Sequence, residues 1–197
     1  MRRFTTLAAL ALLATPAFAQ DRPPLFPTRD VSVTYRVNGG PQPGAEMTMS
    51  WLSTGQLMRV DLPGGVGFMV SDHQNQRGFM VMEQQRMIMD VPIAQAAGHI
   101  QAMQNARFTR GSNDTVAGTP CTNWTYESQG RTGTGCITAE GVMLRAQSSQ
   151  GQQGSLEAVR VAFGPQDPSR YQRPQGYQAM QMPQVPPGAG APRRPGG

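Results

Sequence analysis

From Val31 onward, apolar and polar positions alternate with period two, and turn-forming residues cut the alternation at short intervals. Val31, Val33, Tyr35 and Val37 fall on one side of a first strand, with Ser32, Thr34 and Arg36 on the other, before Asn38-Gly39-Gly40-Pro41 breaks the run. Met47, Met49 and Trp51 line one side of a second strand against Thr48 and Ser50, and Ser53 to Gln56 turns the chain. Met58, Val60 and Leu62 alternate with Arg59 and Asp61 in a third. Pro63-Gly64-Gly65 then leads to a strand over Val66–Ser71, the polar stretch Asp72–Gly78 to one over Phe79–Glu83, and Glu83–Arg86 to one over Met87–Asp90. Turns this frequent predict an antiparallel meander.

One helix is predicted next. Pro92 suits a first helical position, with Asp90 placed to cap it, and Ile93, Ala97, Ile100 and Gln104 recur on one face. Strands resume at Phe108–Arg110. A hairpin follows, pairing Thr119–Glu127 with Thr132–Thr138, and then strands over Val142–Gln147 and Ser155–Phe163. The expected class is mainly β, roughly ten or eleven strands by this pattern, in a curved antiparallel sheet or half-open barrel with one helix in its concave mouth. A membrane-spanning barrel would need ~9–11-residue strands with aromatic girdles. Most of these strands are shorter, and aromatic residues make up 7% of the chain.

The ends have a different composition. Residues 1–19 read as a signal peptide, with Arg2 and Arg3 before the apolar Leu7–Leu13 run and Ala17-Phe18-Ala19 as the cleavage site after Ala19. Residues 20–29 form a Pro-containing lead-in, residues 30–182 the β domain, and residues 183–197 a Pro/Gly-rich tail expected to be disordered. The expected location is therefore the periplasm. The sequence pI is about 10.0, but all 17 basic residues are arginines scattered among acidic ones, so no nucleic-acid surface is expected. Cys121 and Cys136 flank the strongest hairpin signal, and an exported chain folds where thiols oxidise, so a disulfide between them is expected.

Candidate chemistry is sparse. Two Cys and two His cannot supply the usual zinc or iron–sulfur ligand sets. Neither a nucleophile elbow nor a phosphate-binding glycine loop is present. Asp72-His73 suits a solvated turn better than a catalytic dyad, and His99 reads as a helix-surface residue. What does stand out is methionine: eight between positions 47 and 89, three pairs of them Met-x-Met, which in a strand puts both thioethers on one face. Such a stripe suits core packing first, an adaptable apolar cavity second, and a Cu(I)-binding surface third, since no histidine-bearing methionine cluster accompanies it.

The runs Met47-x-Met-Ser-Trp-Leu-Ser-x-Gly-Gln-Leu-Met-Arg-Val60, Thr115-Val-Ala-Gly-x-x-Cys-x-x-Trp124 and Asp167-Pro-Ser-x-Tyr-x-x-Pro-x-Gly-Tyr177 resemble exported bacterial proteins of a domain-of-unknown-function family related to the lipoprotein carriers LolA and LolB. The resemblance implies a half-open barrel with a helix over an apolar cavity that in the carriers holds acyl chains. The expectation is a non-enzymatic, monomeric binding or carrier protein for a lipid or other hydrophobic ligand, without cofactor. The alternatives are a Met-rich copper-binding protein, or a packed envelope protein that binds a protein partner. The expected cavity face is Met47, Met49, Trp51, Met58, Val60, Phe68, Met80, Met82, Met87 and Met89, with Ile93, Ala97 and Ile100 as its helical lid.

Overall fold

The computed structural model describes residues 22–39, 43–93, 101–148 and 155–180. The expected signal peptide and tail lie outside them, as does the middle of the expected helix. Twelve strands are present among the described residues: β1 Val31–Asn38, β2 Glu46–Leu52, β3 Leu57–Asp61, β4 Gly67–Asp72, β5 Arg77–Met82, β6 Met87–Val91, β7 Arg107–Val116, β8 Thr119–Ser128, β9 Arg131–Ile137, β10 Met143–Ser148, β11 Ser155–Phe163 and β12 Gln178–Met180. They form one sheet in the order β12-β6-β5-β4-β3-β2-β1-β11-β10-β9-β8-β7. Two meanders, β1–β6 and β7–β11, are joined side by side where β1 pairs antiparallel with β11. The sheet is curved and does not close. Among the described strands, β12 alone runs parallel to its neighbour, β6.

Local chemistry explains the hairpins. Ala117-Gly118 and Gln129-Gly130 both have positive φ at two successive residues, the turn whose twist matches flanking strands and which glycine favours at its second position. The β8–β9 hairpin carries the expected disulfide: Cys121 and Cys136 are bonded, with Cα atoms 5.5 Å apart. The bond runs diagonally, since Cys136 sits opposite Asn123 in the register.

Two elements exceed the expectation. β7 runs through Asn113 and Asp114 to Val116, with a register shift between Arg110 and Asn113; it is largely exposed and polar on both sides, so alternation cannot reveal it. β12 is three exposed residues. The helix, described over residues 101–104, begins later than Asp90 can cap; the Asp90 carboxylate instead accepts from Arg173.

The core has two parts. One gathers Val31, Val33, Tyr35 and Trp51 with Cys121, Cys136, Val142 and Leu144. The other packs Leu52, Phe68, Val70, Phe79, Val81 and Ile88 beneath Tyr171. The Asp167–Tyr177 stretch supplies the cover of this second core. Asp167 accepts from the Ser169 amide at 2.9 Å to cap a short turn, and Tyr171 is left 4% exposed. Arg59 locks the turn down: it donates to Asp61 at 2.6 and 2.8 Å and to the Arg170 carbonyl at 2.6 Å, and its guanidinium lies 3.5 Å from the Phe68 ring centroid. Arg170 completes the clasp on Asp61 at 3.1 Å.

The inner face of the sheet as a candidate binding site

The strand register assigns every side chain of β1–β6 to a face. Val31, Val33 and Tyr35 stand opposite Trp51, Met49 and Met47, and Trp51 and Met49 stand opposite Met58 and Val60. Val60 is followed across the sheet by Met69, Met80 and Met89, and Met82 by Met87. Residues paired this way share a face. All eight methionines between positions 47 and 89 therefore lie on one side, the inner face, and each is partly buried. The opposite side carries Leu52, Leu57, Phe68, Val70, Phe79, Val81 and Ile88, the core beneath Tyr171.

Of the residues expected at the cavity face, nine share the inner face: Met47, Met49, Trp51, Met58, Val60, Met80, Met82, Met87 and Met89. Phe68 does not. It lies on the outer face, edge-on to Phe79 at 6.4 Å and under Arg59. Its strand is buried on both sides, so its apolar run carries no mark of which residue faces where. Ile93 is 6% exposed and fills the gap left by Gly78, where an added Cβ would sit 2.9 Å from its Cγ2 atom. Ala97 and Ile100 lie outside the described residues.

The lead-in segment covers the middle of this face. Phe26 stacks on Trp51 with ring centroids 5.4 Å apart and planes 11° from parallel. His73 tilts against both rings, at 5.1 Å and 5.6 Å. It is thus not the solvated turn residue its polar sequence neighbours suggest. Both its ring nitrogens and the Trp51 Nε1 are buried without a hydrogen-bond partner among the described residues. Burial pushes the His73 imidazole below its ordinary pKa, against an opposing pull from Asp72. Asp72 itself turns away, accepting from Asn75 at 2.8 and 2.9 Å and from Arg77 at 3.1 Å, so the two adjacent residues form no dyad.

Phe26 separates two cavities. One, of about 310 Å³, is walled by Pro24, Leu25, Phe26, Met103, Phe108, Tyr126, Ile137, Gly141 and Met143. Its lining is apolar apart from the Tyr126 hydroxyl and backbone, and its volume is at the lower end of ligand pockets. The other, of about 250 Å³, is rimmed by Gln56, Gln76, Gln101 and Gln104 around His73 and Ile93. Neither is lined by a methionine of β2–β6. The apolar space lies instead beside β8–β10, between the lead-in and the helix, whose Ala102 carbonyl accepts from the Ser128 hydroxyl at 2.9 Å. The lead-in, the helix and strands β7 to β10 all contribute to it, so no periodicity marks it. The one local signal is the apolar Leu25-Phe26 pair between prolines. No cluster of three or more His, Cys, Asp or Glu able to hold a metal occurs among the described residues.

Residues 41–177 match the model of DUF4412, a domain of unknown function. No curated protein matches the chain. Among solved structures, an uncharacterized conserved protein from Thermus thermophilus is similar over 79% of this chain and 91% of its own, at 12% identity and a TM-score of 0.54. The Pseudomonas aeruginosa MucA/MucB complex contains a chain similar over 78% of this one, at 12% identity and a TM-score of 0.52. This chain spans 58% of that neighbour. At such identities the likeness is one of fold, and the fold is LolA-like.

Proposed function

We propose that this chain, which belongs to the DUF4412 family, is an exported, non-enzymatic binding protein that holds a lipid or other hydrophobic ligand against the inner face of its sheet. The observation that carries this reading is the asymmetry between the two faces. The outer face is a core packed beneath Tyr171 and the Arg59–Asp61–Arg170 clasp, and the cavity of about 380 Å³ at the edge of Tyr171 is walled in part by the charged Asp72, Arg77 and Arg173. The inner face keeps eight partly buried methionines and, apart from them beside β8–β10, an apolar cavity of about 310 Å³ under the lead-in segment. Methionine's unbranched, polarizable side chain adapts to varied apolar shapes, and each methylene of an acyl chain buried there contributes ~0.8 kcal/mol. The disulfide supports the reading of residues 1–19 as a signal peptide cleaved after Ala19 and of a periplasmic location. The likeness to a chain solved in complex with MucA supports an envelope protein partner as the second reading.

Native mass spectrometry of monomeric protein released from the envelope without detergent tests the proposal. A non-covalent adduct that yields fatty-acyl fragments is expected, and Ile137→Gln, at the cavity wall, lowers its occupancy while the fold persists. A bare polypeptide mass that also fails to take up a fluorescent fatty acid overturns it and favours the partner-binding reading.

A further inference from the structure

The inner-face methionines are not evenly spread. In one row across the sheet, Met69 stands opposite Met80, Met80 opposite Met89, and Met89 opposite Met180. In the adjacent row Met82 stands opposite Met87. Six thioethers therefore occupy two neighbouring rows on four adjacent strands. Met180 is far away in sequence. It joins the ladder because β12 is pinned beside β6: the Gln178 amide donates to the Arg86 carbonyl at 2.9 Å, and the Tyr177 hydroxyl meets Glu83.

We propose that this ladder is a binding site for a soft monovalent cation, Cu(I) above all. Neighbouring strands lie ~4.7–4.9 Å apart and cross-strand Cβ atoms ~4.5–5.5 Å apart. Three rotatable bonds let the neighbouring Met80, Met82, Met87 and Met89 bring their sulfurs toward a shared point, with Met69 and Met180, about 14 Å apart across three strand spacings, flanking them. Thioethers are neutral, soft ligands that select Cu(I) over hard divalent ions. The register puts no charged residue on this face of β4–β6: beside the methionines it carries only Gly67, Ser71, Gly78 and Val91. The nearby charges are used elsewhere, with Asp90 on Arg173 and Glu83 on Tyr177. Gly67, opposite Met82, leaves one end of the second row without a side chain. The five methionines of β4–β6 are partly buried and Met180 is 40% exposed, so the ladder is reachable from the sheet edge. Both cysteines are committed to the disulfide and offer no competing thiolate. This site shares the inner face with the hydrophobic ligand proposed above but not the cavity beside β8–β10, which no methionine of β2–β6 lines.

The test is titration of the disulfide-intact protein with silver(I), and with Cu(I) in competition with bicinchoninate, the copper kept reduced by ascorbate, which leaves the disulfide closed. The expected result is one tight equivalent. Of the twelve methionine methyl signals that remain once residues 1–19 are removed, those of Met80, Met82, Met87 and Met89 shift most, and those of Met69 and Met180 at the ends of the row shift with them. Replacing these six by leucine keeps the apolar volume and weakens binding at least a hundredfold, with the circular dichroism of the parent retained. Absence of uptake, methyl shifts centred on Met103 and Met143, or equal affinity in the leucine variant each overturns the proposal. The methyl spectra decide it on the parent protein even if the variant folds poorly.

Discussion

Reducing the Cys121–Cys136 bond isolates one contribution to stability with little else disturbed. Both sulfurs stay in place, and Cys136 is only 1% exposed, so the packing around it survives when the bond opens. What changes is the unfolded chain, which regains the freedom of a loop with a sequence separation of 15. The chain-entropy relation gives ~3 kcal/mol for a loop of that length. For a domain of ~150 residues each kcal/mol moves the midpoint by ~2–4 °C, so the reduced protein should melt ~6–12 °C lower. Urea unfolding of the two forms measures this directly. The reduced form should also show a steeper dependence on denaturant, because its unfolded state exposes more surface. A loss below ~1 kcal/mol with an unchanged slope would refute the reasoning. It would mean that the unfolded β8–β9 hairpin stays closed without its crosslink.

Two further outcomes follow from buried polar groups. The Tyr171 hydroxyl is buried without a partner among the described residues, so Tyr171→Phe should be neutral or stabilising, whereas Tyr171→Ala should cost ~3–5 kcal/mol in thermal unfolding, as for other large buried aromatics. His73 has a folded pKa below its ordinary 6.5; the unfolded state therefore binds the extra proton first, and stability should be full above pH 6.5 and fall as pH drops through the folded pKa. His73→Gln should flatten that dependence in melts between about pH 5 and 7, and an unchanged slope would show that another group sets it.

The strand faces were legible wherever one side of a strand is polar. Val31, Val33 and Tyr35 against Ser32, Thr34 and Arg36 fix a face, and antiparallel pairing passes that assignment on to Met49 and Val60. The disulfide was legible for a similar reason, since a hairpin flanked by cysteines is a local feature. Phe68 was not, because its strand is apolar toward both cores. His73 was hidden because Phe26, 47 positions earlier in the sequence, supplies the ring that buries it. The cavity and the last rung of the methionine ladder were likewise set by tertiary contacts, through a lead-in and a C-terminal strand that lack periodicity. The Asp167–Tyr177 motif was visible as a pattern, but its role as a clasp over the outer core depends on Arg59 and Asp61, which alternation marks only as polar.

The parallel three-residue strand β12 has a consequence for strand-to-strand association at the sheet edge. Without it, β6 would end the sheet with Met87-Ile88-Met89 and a row of unpaired backbone donors and acceptors, a ready template for another chain. The chain instead folds its own segment back over that border, held by Tyr177 on Glu83 and Arg173 on Asp90. At the far border, β7 offers arginine, asparagine and aspartate and an irregular backbone. An open sheet rich in methionine is thereby bounded at both ends by elements that discourage strand-to-strand aggregation.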